Sequence, residues 1–172
     1  MTLSNFLSKL NWRLMVIHFI ACWFFIYAFQ QLAFLHDIEL SKAYMSTKST
    51  DNSKMLAIIK RFGYNRIYIE TLWINLGGPV GFFTGFVISL LISLKNKWYW
   101  LNSVIVFVVI FLLMRYGLLG WHYLKQIFLS PGDLFKSITA YFLTNGLIMM
   151  AIGLCLFFMR WSIRFINGNR YV

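Results

Sequence analysis

The chain has few of the groups from which soluble folds and enzyme sites are built. Of its 172 residues only 12% are charged, while 60% are hydrophobic and 20% aromatic. Soluble domains carry ~25% charge and ~45–50% apolar residues, so a water-soluble fold is excluded. There are two prolines, two cysteines, three histidines and five acids. Cys22 and Cys155 sit in separate apolar stretches with no C-x-x-C or histidine pairing, so buried thiols are expected. His18 shares a helix face with Cys22, but two residues do not make a site. The motifs G-x-x-x-x-G-K-S/T, G-x-G-x-x-G, H-E-x-x-H and G-x-S-x-G are all missing, which removes the nucleotide-binding and hydrolytic signatures they mark. No internal repeat of the kind found in inverted-repeat transporters is present. No cofactor is expected.

What the chain does have is apolar length. Residues 14–35, 73–94, 101–124 and 137–159 each exceed the ~20 residues that cross a ~30 Å hydrocarbon core. The expected fold is all-α: a single domain over residues 1–172, a four-transmembrane-helix bundle with short interfacial helices. Lys9 and Arg13 precede the first run as in a signal peptide, but the run is long and Gln30, Gln31 and Phe34 replace a small-residue cleavage site. A retained signal anchor is the reading. Residues 2–12 carry Leu3, Phe6, Leu7 and Leu10 at helical spacing, suiting an interfacial helix. In the loop 36–72, a polar stretch at 46–53 precedes an apolar stripe, Met55, Ile58, Ile59 and Phe62, opposite Lys54, Lys60 and Arg61. That pattern predicts an amphipathic helix over about 54–62, with Gly63 suited to its end.

Orientation follows from basic residues beside the span ends. Lys9, Arg13, Lys95, Lys97, Arg160, Arg164 and Arg170 share one face with no acid, while all five acids fall on the other. The expected topology is multi-pass, N-in/C-in, in a bacterial inner (plasma) membrane. Membrane lipids are the surrounding partner, and the cationic tail is expected to attract anionic lipid at the cytoplasmic face. Nucleic acid is disfavoured despite the +11 charge, because the cations are split between two faces. Trp12, Trp73, the Trp98-Tyr99-Trp100 cluster, Trp121, Tyr123 and Trp161 read as an aromatic belt.

Three patterns stand out as candidate sites. In the second span Gly77, Gly81, Gly85, Ser89 and Ser93 recur every four residues, a ridge that admits a close helix backbone from this chain, a protein partner or a second copy. Gly78 and Pro79 beside it suggest a bend. Gly146 and Gly153 with Asn145 form a weaker counterpart in the fourth span. The second pattern is Arg115 inside the third span, aligned with His122 and Gln126, with Glu70 and Asn75 available to complete a polar stripe. The third is the gathering of acids and histidines on the outer side. Glu70, His122 and Asp133 are weak catalytic candidates, and His36, Asp37 and Glu39 weak metal candidates in a spacing that matches no known ligand set.

The leading functional expectation is a non-catalytic accessory or structural subunit packing through the span-two ridge. The alternatives are a homo-oligomeric transporter or channel with Arg115 and His122 lining an ion or proton path, and a membrane-embedded enzyme with an outer carboxylate/histidine site.

Overall fold

A computed structural model describes residues 9–46, 52–119 and 131–168. Its elements are α1 (Trp12–Ala33), α2 (Ile38–Ser46), α3 (Asn52–Phe62), α4 (Tyr64–Lys95), α5 (Leu101–Arg115), a 3-10 turn (Pro131–Leu134), α6 (Ile138–Phe158) and α7 (Arg160–Asn167). No strand occurs among the described residues. Helices α1, α4 and α6 are long and apolar enough to cross a membrane, which marks the chain as an integral membrane protein. The expected interfacial stretch before Lys9, the polar stretch from 47 to 51, and Trp121, His122, Tyr123, Gln126 and Arg170 lie outside the described residues.

Local signals set the helix ends. The side chain of Asn11 accepts a hydrogen bond from the Leu14 N–H at 3.2 Å and caps α1. Gly63 takes φ +79°, a value favouring glycine, between α3 and α4. Helix α4 then starts nine residues before Trp73 and runs unbroken past Pro79 to Lys95. At 32 residues it is about 48 Å long. Its first turns therefore extend beyond the apolar run that begins at Trp73.

The third apolar run differs from the expected helix over 101–124. Helix α5 stops at Arg115, and its 15 residues make about 22 Å. Gly117 at φ +68° is the cause. The Leu118 N–H donates to the Leu113 carbonyl at 2.8 Å and the Gly117 N–H to that of Met114 at 3.1 Å, the closing pair of a glycine-terminated helix.

Helix α1 is the centre of the bundle, with α4 on one side and α6 on the other. A Cβ at Gly81 would lie 2.5 Å from the Phe25 carbonyl oxygen, one at Gly77 2.8 Å from that of Phe29, and one at Gly85 3.1 Å from the Cα of Cys22. The ridge on α4 thus meets the backbone of α1. On α6, Gly146 faces Leu32 and Ala28, and Gly153 faces the ring of Phe25 and the Ala21 carbonyl. Helix α5 completes the core through Val106 and Ile110, which join Cys22, Phe25, Ile26 and Phe82, and through Phe107 stacked on Phe82 at 4.4 Å. Of the two cysteines, Cys22 is buried and Cys155 is exposed. The expectation of a buried thiol fails at Cys155 because an apolar helix in lipid has an outward face as apolar as its inward one.

Candidate functional site

Two polar groups sit at opposite ends of this core. The first is buried among α1, α4 and α5. His18, with no exposed surface, meets the Ser89 hydroxyl through Nδ1 at 2.7 Å. Ser89 Oγ donates to Ser103 Oγ at 2.9 Å, and Ser93 Oγ lies 2.9 Å from the same atom. Ser103 is the hub, joining two turns of α4. The two serines of the ridge therefore face neighbouring helices of the same chain. Neither His18 nor Ser103 is marked as part of a site by the sequence pattern. The available signal was a serine near the start of an apolar helix, where a buried hydroxyl needs a partner.

The second group lies at the end of the bundle away from Asn11, where α2 folds back over the start of α4. Glu70 is 1% exposed although it is a carboxylate. Its Oε2 pairs with His36 Nδ1 at 2.8 Å, and its Oε1 accepts a long hydrogen bond from Ser41 at 3.4 Å. The His36 ring stacks on Trp73 with centroids 4.9 Å apart, so Trp73 has a defined packing partner. Beside this pair, Arg66 donates to Asp37 through Nε and through Nη2, the latter at 2.8 Å, and Nη2 also reaches Glu39 at 3.1 Å. The Arg66 hydrogen bonds hold the Asp37 carboxyl below its ordinary value against an opposing effect of burial, and the same contacts raise Arg66. Burial pushes the Tyr44 hydroxyl up, and the Glu70 charge adds to the shift.

The metal candidates consequently divide. His36 goes to Glu70, while Asp37 and Glu39 share Arg66. Among the described residues no three histidine, cysteine, aspartate or glutamate side chains gather as ion ligands. Asp133 is exposed on the 3-10 turn. The neighbouring Gly132 N–H donates to Asn145 Oδ1 at 2.7 Å, so Asn145 holds this turn against α6.

Arg115 is exposed at the last turn of α5. It borders an open groove of about 390 Å³ whose walls include Pro79, Phe83, Phe107 and Phe111. The spacing that aligned it with His122 and Gln126 presumes a helix running past Gly117, where α5 has already ended. Asn75 is exposed on α4.

Chemically, the His18 group is hydrogen-bonded packing between helices. The Glu70 group presents one oriented imidazole: Glu70 takes Nδ1 and leaves the other edge of the ring exposed, beside an apolar recess of about 490 Å³ lined by residues including Leu32, Trp73 and Val80. No protein-family model, curated protein or solved structure matches this chain.

Proposed function

We propose that the chain is a four-span, N-in/C-in protein of a bacterial inner membrane that serves as a non-catalytic accessory or structural subunit of a larger assembly. One observation carries this reading: most polar groups of the core bond within the chain, although His18 Nε2, Gln31 Oε1 and Ser162 Oγ have no hydrogen-bond partner among the described residues. His18, Ser89, Ser93 and Ser103 bond to one another, Asn145 is bonded to Gly132, and Glu70 is held by His36 and Ser41. Cys22, Phe25, Ile26 and Phe82 pack between the His18 and Glu70 groups, which argues against an ion path through the core.

What faces outward is apolar. Leu72, Leu76, Val80, Phe83, Val87, Leu91 and Leu94 are all exposed on α4, spaced four, four and three residues apart along one stripe. This stripe lies opposite the glycine ridge, and α1 fills the ridge itself. A partner helix therefore docks on the stripe, where aromatic and aliphatic side chains offer a continuous packing surface. The test is purification in mild detergent of the parent and of a Phe83→Ala/Phe111→Ala variant, both substituted on exposed positions. The variant should lose the co-purifying partner while keeping its thermal midpoint. A partner retained in full by a folded variant would refute the reading.

The His36–Glu70 pair favours a second reading, an enzyme acting on lipid or an exported peptide at the outer surface. A buried carboxylate that orients an imidazole is an arrangement suited to a general base. If His36→Gln and Glu70→Gln leave the protein's cellular function unchanged, this second reading falls and the subunit reading stands.

A further inference from the structure

At the end of the molecule opposite His36, the residues before α1, the turn between α4 and α5, and the last turn of α7 converge on an open cavity of about 720 Å³. Three cations line it, Lys9, Arg13 and Lys97, with Trp98, Tyr99 and Trp100 among the walls. None of the chain's five acids lies in these segments, and none of the three cations has an ion-pair partner among the described residues. Lys9 rests 5.8 Å above the Tyr99 ring, and Arg13 lies over Trp12 and Phe165 at 5.6 and 5.5 Å.

The amides around the cavity build it. Asn11 Nδ2 donates to the Ile166 carbonyl, the Asn11 N–H donates to Asn102 Oδ1, and Trp98 Nε1 donates to Asn167 Oδ1, each at 2.9 Å. Three separate stretches of chain are thereby locked in place, and the cations stand on a fixed frame. The N-termini of α1 and α5 both open onto this frame, adding the positive ends of two helix dipoles, and no side chain caps α5.

Lys97 supplies an independent sign. It is the one non-glycine residue with positive φ among the described residues, at +55°, and it occupies the closing position of α4. The Trp98 N–H donates to the Ser93 carbonyl at 2.8 Å and the Lys97 N–H to that of Leu94 at 3.1 Å, the bonding pattern that usually selects glycine. A lysine held there at the expense of backbone strain points to a use for its charge.

We propose that this cavity binds the phosphate of an anionic phospholipid headgroup. Phosphate fits three cations that face the cavity with no acid among its lining residues, Arg13 alone of them holding a long hydrogen bond, to the Phe165 carbonyl at 3.4 Å. The lipid source is favoured by Trp12 and Trp100, which are exposed beside the cavity at the ends of apolar helices, where acyl chains begin. The proposal stands apart from the subunit reading and uses none of the same surface.

The test is lipid retention by the full chain, measured by native mass spectrometry after exchange from mixed phosphatidylcholine/phosphatidylglycerol nanodiscs. The parent should retain phosphatidylglycerol preferentially. Lys9→Gln/Lys97→Gly should weaken that retention about fivefold per cation removed. Because Lys97→Gly relieves strain, its thermal midpoint in pure phosphatidylcholine should not fall, an outcome that separates lost binding from lost folding. Arg160→Gln/Arg164→Gln, on exposed positions outside the cavity, should weaken the preference much less than the first variant does. Three results would overturn the proposal: undiminished preference in the first variant, an equal loss in the second, or displacement of the lipid by inorganic phosphate at comparable concentration, which would assign the site to a free anion.

Discussion

Glu70 is the residue whose environment constrains the molecule most. A carboxylate with 1% exposure needs its partners, because removing one strands a buried charge. His36→Ala should therefore destabilise the protein by about 3 kcal/mol, whereas Glu70→Gln, which removes the charge and keeps the shape, should cost about 1 kcal/mol. Equal losses on thermal or chemical unfolding would contradict this account. Asp37 supplies a pH dependence of definite sign. Its carboxyl is held below the ordinary aspartate range by the hydrogen bonds of Arg66. A depressed acid adds stability that is present above its unfolded value and is lost as pH falls through the folded one. Between about pH 5 and pH 2 the parent should lose more stability than Arg66→Gln, and parallel titrations of the two proteins would remove the role given to this pair. The group around His18 is milder: Ser103→Ala breaks two hydroxyl contacts and should cost about 1 kcal/mol, within the range measured for hydrogen bonds between membrane helices.

At the scale of elements, the glycines separate packing from backbone geometry. A methyl at Gly81 meets the Phe25 carbonyl at 2.5 Å and the Ile26 Cα at 2.8 Å, so helix backbones must part. At Gly78 the nearest atom is the end of the flexible Gln30 side chain at 3.0 Å. Gly81→Ala should then cost about 2 kcal/mol and Gly78→Ala well under half of that, as measured by unfolding in detergent. Gly81→Leu should lose the fold and not merely a partner. Gly117→Ala meets nothing within 4 Å, yet places a Cβ in the left-handed region, for a cost of about 1 kcal/mol. The four-residue spacing of Gly77, Gly81 and Gly85 made close helix contact readable from sequence, and α1 as the occupant was not, since periodicity names a face and not its neighbour. Gly117 was legible too, as a glycine two residues after a basic helix end, but the apolar run continuing through Leu118 and Leu119 masked it. The pairing of His36 with Glu70 spans 34 residues and depends on how α2 folds back, which no local pattern encodes.

For the whole molecule, the decisive contacts lie at the cationic end. Asn11 bonds to Ile166 and Trp98 to Asn167, so the start of α1, the end of α4 and the last turn of α7 share one end. Helix α6 runs antiparallel to α1, since Gly146 lies beside Ala28 and Gly153 beside Ala21. The chain leaves α4 at the cationic end and must enter α6 from the other, so the segment between them returns across the bundle. Helix α5 begins that return: Ser103 lies beside Ser89 and Ser93, Phe107 stacks on Phe82, and Arg115 reaches the level of Pro79. In the proposed four-span arrangement α5 is the short crossing, and a helix of about 22 Å would be accommodated by local thinning or by its flanking residues. The prediction concerns single cysteines placed at Lys97, Lys42 and Asp133 in a background carrying Cys22→Ala and Cys155→Ala. In intact cells an impermeant thiol reagent should label positions 42 and 133 and spare 97, and disruption of the membrane should expose 97. If 97 and 133 react alike, α5 does not cross, and the contacts joining Asn11 to Ile166 could not form in a membrane.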